Sequence, residues 1–193
     1  METLKKKLTY REFRQMEFDD DDPYWYELIN GELVQKQSPT LEHQGISREI
    51  EYALIGFTKR TGAGIIHHAP LDVVLDDGNA YHPDVFYIRN DRYFILDKQE
   101  KIVIGAPDLV VEILSKSTAG DDKGTKKDTY EKYGVREYWL VDPVKKSLEI
   151  YALAEERYRL FLYLEGTGIL KSSILEGFEL DIEKMFADAA TGM

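Results

Sequence analysis

At 193 residues the chain is long enough for one domain with a full core and short for two. Its 43% hydrophobic and 12% aromatic content argues against wholesale disorder, and the lack of cysteine excludes disulfides and thiolate metal sites. A formal charge of −11 argues against a broad basic face for nucleic acid, so any attraction for phosphate must be local.

Thr9 reads as the N-cap of a short helix in "LTYREFRQM". The basic start before it is followed by no apolar segment or cleavage site, and no apolar run approaches a membrane span. A soluble, cytoplasmic protein with no membrane partner is therefore expected. "DDDDPYW" reads as a turn carrying an acid run. "YWYELINGELVQKQ" reads as a hairpin turned at Asn30-Gly31. Thr40 caps a longer helix whose stripe of Ile46, Ile50, Ala53, Leu54 and Phe57 has helical spacing, with Gly62 closing it. Three strands are predicted next, "GIIHHAPLDVVL", "PDVFYI" and "DLVVEIL", then a helix from about Asp122 to Tyr133 stopped by Gly134. "REYWLVDP" reads as a buried strand. "SLEIYAL", "RYRLFLYLE" and "SSIL" read as antiparallel strands, and "DIEKMF" as a last short helix. This order predicts an α/β or α+β fold with a mixed sheet between helices.

One residue breaks the apolar pattern. Glu112 lies between Val111 and Ile113, where an ionised carboxylate costs several kcal/mol unless something pairs with it. Either a buried ion pair or a functional site accounts for it, and both require a cation. Asp84 and Asp108 each follow a proline at a strand start, a position where Asp is commonly only a turn residue. Asp108 shares the side of Glu112 if the strand begins that early. Asp84 beside Glu112 would give two hard oxygen ligands suited to Mg²⁺ or Mn²⁺. On the following helix Lys126, Tyr130 and Tyr133 share a face. Lys126 either points with the tyrosines toward Glu112 or snorkels past them to solvent.

The segments "YELINGELV", "LEHQGISREI", "HPDVFYI", "APDLVVEILSKST", "DDKGTKKDTYEKYGVREYWLVDP" and "GFELDIEKMF" occur in an order that resembles the Uma-two family. Its members are bacterial proteins of the restriction-endonuclease-like, or PD-(D/E)xK, superfamily. The resemblance covers about residues 9–187 and implies a single restriction-endonuclease-like domain over 1–193. It implies Asp84 and Glu112 as metal ligands and catalytic acids, with the backbone carbonyl of Ile113 as a third ligand and Mg²⁺ or Mn²⁺ as cofactor. The superfamily lysine belongs two residues after the glutamate, where this chain has Leu114. The resemblance moves it to Lys126 on the next helix, with Lys116 and Lys123 as rivals. An early acidic or histidine residue completes many such sites. Glu27, Glu32 and His43 are the candidates, and the odd separation of Glu27 and Glu32 suggests that they face different ways.

The implied activity is metal-dependent hydrolysis of phosphodiester bonds in nucleic acid, with DNA as the first expectation. The alternative is a catalytically silent nuclease fold acting as a binding or regulatory module, which the net charge and the missing E-x-K lysine favour. A phosphatase or nucleotide hydrolase is the weaker rival, since no phosphate-cradling glycine loop precedes a helix. "RYRLFLYLE" could serve as a homodimer edge, although core burial explains it equally well.

Overall fold

The computed structural model describes residues 6–19 and 21–191. Residues 1–5 of the basic start and Asp20 of the acid run lie outside the described residues. Thr9 caps α1 (Tyr10–Arg14) through a capping box, its side chain and that of Glu12 each accepting the other residue's backbone N–H. The hairpin forms as expected from β1 (Trp25–Ile29) and β2 (Glu32–Lys36). Asn30 and Gly31 both adopt the positive φ that a two-residue turn requires. Thr40 then caps α2 (Leu41–Thr61), and Gly62 ends it at φ 66°.

The run expected as one strand, "GIIHHAPLDVVL", divides into β3 (Gly64–His68) and β4 (Val73–Asp76), which belong to different sheets. The break falls at Ala69-Pro70, where the proline has no N–H to continue a ladder. β5 (Asn79–Tyr81) and β6 (Val85–Arg89) follow, then a 3₁₀ helix (Asn90–Ile95), β7 (Leu96–Asp97), β8 (Ile102–Ile104) and β9 (Leu109–Ile113). The helix expected over 122–133 is two, α3 (Ala119–Lys123) and α4 (Thr125–Lys132), meeting at Gly124. Beyond lie β10 (Glu137–Asp142), β11 (Ser147–Ala154), β12 (Arg157–Glu165), β13 (Ile169–Lys171), β14 (Glu179–Asp181) and α5 (Ile182–Thr191). "SSIL" is a loop rather than a strand. Ser172, Ser173 and the Ile174 N–H turn inward to donate to the buried Glu137 carboxylate, which also accepts from Trp139 Nε1.

The first six-stranded sheet has the order β2-β1-β5-β4-β8-β7, the second β12-β11-β10-β9-β6-β3, and β13 and β14 form a small third. In the second sheet β9 and β10 are parallel, joined through α3 and α4. One face of this sheet packs on α2 and α5, burying Ile46, Ile50, Val111, Ile113 and Phe186. α2 and α5 approach so closely that a Cβ on Gly45 would stand 2.4 Å from the Ala189 carbonyl oxygen. The other face meets the first sheet and α4, burying Phe86, Val110, Tyr130, Tyr138 and Leu140. The expected mixed α/β fold with flanking helices is found, α2 and α5 on one face and α4 on the other, with one addition. One side is closed mainly by a second sheet, because β1, β4, β5 and β8 also carry apolar faces that need cover.

Alternation along β9 now orients the key residue. Val111 and Ile113 enter the helix-covered core, whereas Val110 and Leu114 enter the core between the sheets. Glu112 therefore points between the sheets, beside a largely apolar core.

Candidate active site

Three elements bring carboxylates to Lys126. Its Nζ stands 2.9 Å from Glu112 Oε1, 3.0 Å from Glu27 Oε1 and 3.3 Å from Asp122 Oδ1. The lysine is 2% exposed, so it does not snorkel to solvent. Its position follows from helix spacing, since Asp122 and Lys126 remain one turn apart across the Gly124 junction. Tyr130, on the same face, donates to Glu112 Oε1 at 2.9 Å, and the ammonium lies 5.4 Å from the centre of the Tyr81 ring.

Asp84 arrives by strand register. β6 and β9 are antiparallel with Val85 opposite Val111, so the preceding Asp84 lies opposite Glu112. Its Oδ2 accepts the Ile113 N–H at 2.7 Å and stands 3.2 Å from His43 Nε2 on the first turn of α2. Glu27 arrives from the first sheet. Its carboxylate accepts the His82 N–H at 2.8 Å and pairs with Lys36 at 2.9 Å.

Burial penalises every charge here, and the partners decide the outcome. Burial would raise Glu27, but Lys126 and Lys36 together hold it down to about 2. Glu112 shares only Lys126, so burial, aided by Asp122, Asp84 and Glu27, pushes it well above its ordinary value. Asp122 is raised for the same reason. Burial alone would lower Lys126, but Glu112, Glu27 and Asp122 hold it well above 10.5. His43 is likewise opposed by burial yet raised by the hydrogen bond and charge of Asp84.

The other candidates separate cleanly. Glu32 pairs with Ile29 and therefore lies on the same face of the hairpin as Glu27, contrary to the parity expectation. Across a two-residue turn, residues equidistant from it share a face, so odd separations match. Glu32 is nevertheless exposed at the turn end, two rungs from Glu27, and Lys116 and Lys123 are also exposed outside the cluster. Asp108 precedes β9 and belongs to a different network, accepting the Arg89 N–H and pairing with Arg92 at 3.1 Å. Asp122 is the site residue that sequence reasoning missed as a candidate. Its i, i+4 relation to Lys126 was the available signal.

Among the described residues no three acidic or histidine side chains already form a metal cage, because Lys126 occupies the centre. The donor set nevertheless fits a hard divalent cation. It is all oxygen apart from His43, and four carboxylates, Glu27, Asp84, Glu112 and Asp122, face two lysines. Both oxygens of the buried Asp122 also lack a hydrogen-bond partner.

Acids at the ends of adjoining strands, with a lysine buried between them, on a mixed α/β frame, place the chain in the class of nuclease-like folds. The Uma2 family model, described as "Putative restriction endonuclease", matches residues 10–183. The chain belongs to the Uma2 (Uma-two) family. A crystal structure from Anabaena variabilis ATCC 29413, described as a putative nuclease belonging to DUF820, shares the fold. Its TM-score is 0.76 at 21% identity, over 94% of this chain and 99% of that one. No curated protein matches the chain in sequence. No helix among the described residues is long and apolar enough to cross a membrane.

Proposed function

We propose that the protein is a divalent-metal-dependent endonuclease, acting on DNA through Asp84, Glu112 and Lys126 as one restriction-endonuclease-like domain. The observation that carries this reading is the surplus of buried acid around Lys126, which an apolar core has no structural need to assemble. The family description supports a restriction-type substrate.

In this reading Asp84, Glu112 and the Ile113 carbonyl would hold Mg²⁺ or Mn²⁺. When bound, the cation supplies Lewis acidity toward a phosphate oxygen and acidifies a water. The residues do the rest. Asp84 is fixed by the Ile113 N–H, and Glu112 by Tyr130. Lys126 gives its ammonium to the developing phosphorane charge and orients the attacking water. Glu27 and Asp122 keep Lys126 charged and in place. His43 stands beside Asp84 as a proton donor or further ligand.

A second reading, a silent nuclease fold acting as a binding or regulatory module, is favoured by the three ion pairs already made by Lys126. Supercoiled plasmid at low salt with Mn²⁺, Mg²⁺ or EDTA separates the two. We expect metal-dependent nicking by the wild type, lost in Asp84→Asn. Nicking by neither protein would favour the silent module, and equal nicking by both would remove Asp84 from the site.

A further inference from the structure

The chain has two tryptophans in opposite settings. Trp139 is fully buried, whereas Trp25, the first residue of β1, is 48% exposed. Alternation fixes where Trp25 faces. Tyr26 and Leu28 pack on the outer side of the hairpin with Phe13 and Ala80, and Tyr26 is covered by Phe18 with ring centroids 4.3 Å apart. Glu27 and Ile29 face the space between the sheets, and Trp25 shares their side, about 7 Å from Glu27 along the strand. Its cross-strand partner is Lys36, whose ammonium is the one that pairs with Glu27. An indole with half its surface open thus stands at the rim of the candidate active site, two rungs from Glu27, which holds Lys126.

Charge limits what this rim can bind. The chain carries −11, and Glu17, Asp19, Asp21 and Asp22 precede the hairpin, so a duplex cannot be held by a broad cationic face. Stacking on an aromatic face tolerates any sequence, because every base presents a π-face, and it adds to whatever local charge supplies. Resting on the nuclease reading above, we infer that Trp25 is a stacking platform for a nucleobase of the strand being cut. The substrate class is then single-stranded or locally unpaired DNA next to the scissile phosphate.

Tryptophan emission tests this directly, since Trp25 is the tryptophan open to quenching. The Glu112→Gln background with Mn²⁺ present prevents turnover, and the probes are a short oligothymidylate and an abasic sugar-phosphate oligomer of equal length. We expect oligothymidylate to quench emission, and the quench to vanish in Trp25→Phe, which leaves Trp139 as the sole indole while keeping the affinity. Trp25→Ala should bind about tenfold more weakly by anisotropy of labelled oligomer, and the abasic oligomer should bind wild type as weakly. Binding without quenching, or unchanged affinity in Trp25→Ala while plasmid nicking persists, would overturn the stacking role alone. Binding of no oligomer together with no nicking would overturn the nuclease reading and this inference with it.

Discussion

Lys126→Met is expected to be strongly destabilising, costing about 3–5 kcal/mol, the range for breaking a buried ion pair by removing one partner. For a chain of this size that corresponds to a melting temperature lower by roughly 10 °C. Methionine fills much of the same volume against Tyr81 and Tyr130, so lost packing contributes little. The cost comes from Glu27, Glu112 and Asp122, which lose a shared partner held within 3.3 Å. Glu27 retains Lys36, so the burden falls on Glu112 and Asp122. Two results would identify this cause. Adding Glu112→Gln to Lys126→Met should recover part of the loss, since the two residues are in contact and their effects do not add. Mn²⁺ should also stabilise the single variant, by supplying charge where the lysine was. Thermal unfolding of the four proteins of this cycle checks both points, and simple additivity would contradict them.

Glu112→Gln should separate activity from stability. Its amide oxygen can still accept from Lys126 and Tyr130, so the fold should survive. Cleavage should fall about a thousandfold, equivalent to roughly 4 kcal/mol of barrier, because the carboxylate no longer holds a cation. The pH dependence of stability distinguishes the two proteins further. Burial sets the folded value of Glu112 well above the unfolded value near 4.5, so the folded state binds this proton more tightly. Its contribution is therefore fully present below about pH 4.5 and is lost as pH rises through the folded value. Without metal, wild-type stability should decline across that window, and Glu112→Gln should decline less. Glu27 acts in the opposite sense. Held down to about 2, it contributes above 4.5 and loses that contribution as pH falls toward 2, outside the window in which Glu112 acts. The difference between the two denaturation curves thus reports Glu112. Parallel curves from pH 4.5 upward would contradict the upward shift of Glu112.

Much of this site was legible because it violates a pattern. A glutamate inside "LVVEIL" stands out against period-two alternation, and the shared face of Lys126 and Tyr130 follows from helical spacing. Both survive in the structure, although a glycine divides the helix between Asp122 and Lys126. Asp84 was legible as a strand-start acid, but its place opposite Glu112 depends on the β6–β9 register, which one strand's sequence does not encode. Glu27 was one of three early candidates. Only the packing of one sheet on another shows that it, and not Glu32, reaches Lys126, while His43 reaches Asp84. The first sheet was the least legible part. β5, β7 and β8 have two or three residues each, too few to show a period, and β4 was merged with β3 across Ala69-Pro70. Asp122 was legible only as the start of a helix, and it is the fold of α3 that turns the residue inward to 1% exposure.

The central claim is that this lysine-centred cluster of acids takes up a divalent cation, and the most direct test is the melting temperature of the protein against Mn²⁺ concentration. The wild type should be stabilised progressively once Mn²⁺ exceeds its dissociation constant, by about 2.7 kcal/mol at a hundredfold excess over that constant. The shift should be lost in both Asp84→Asn and Glu112→Gln. A wild-type melting temperature indifferent to Mn²⁺, or an equal rise in all three proteins, would contradict this and leave Lys126 and Lys36 as the counter-ions of a structural cluster.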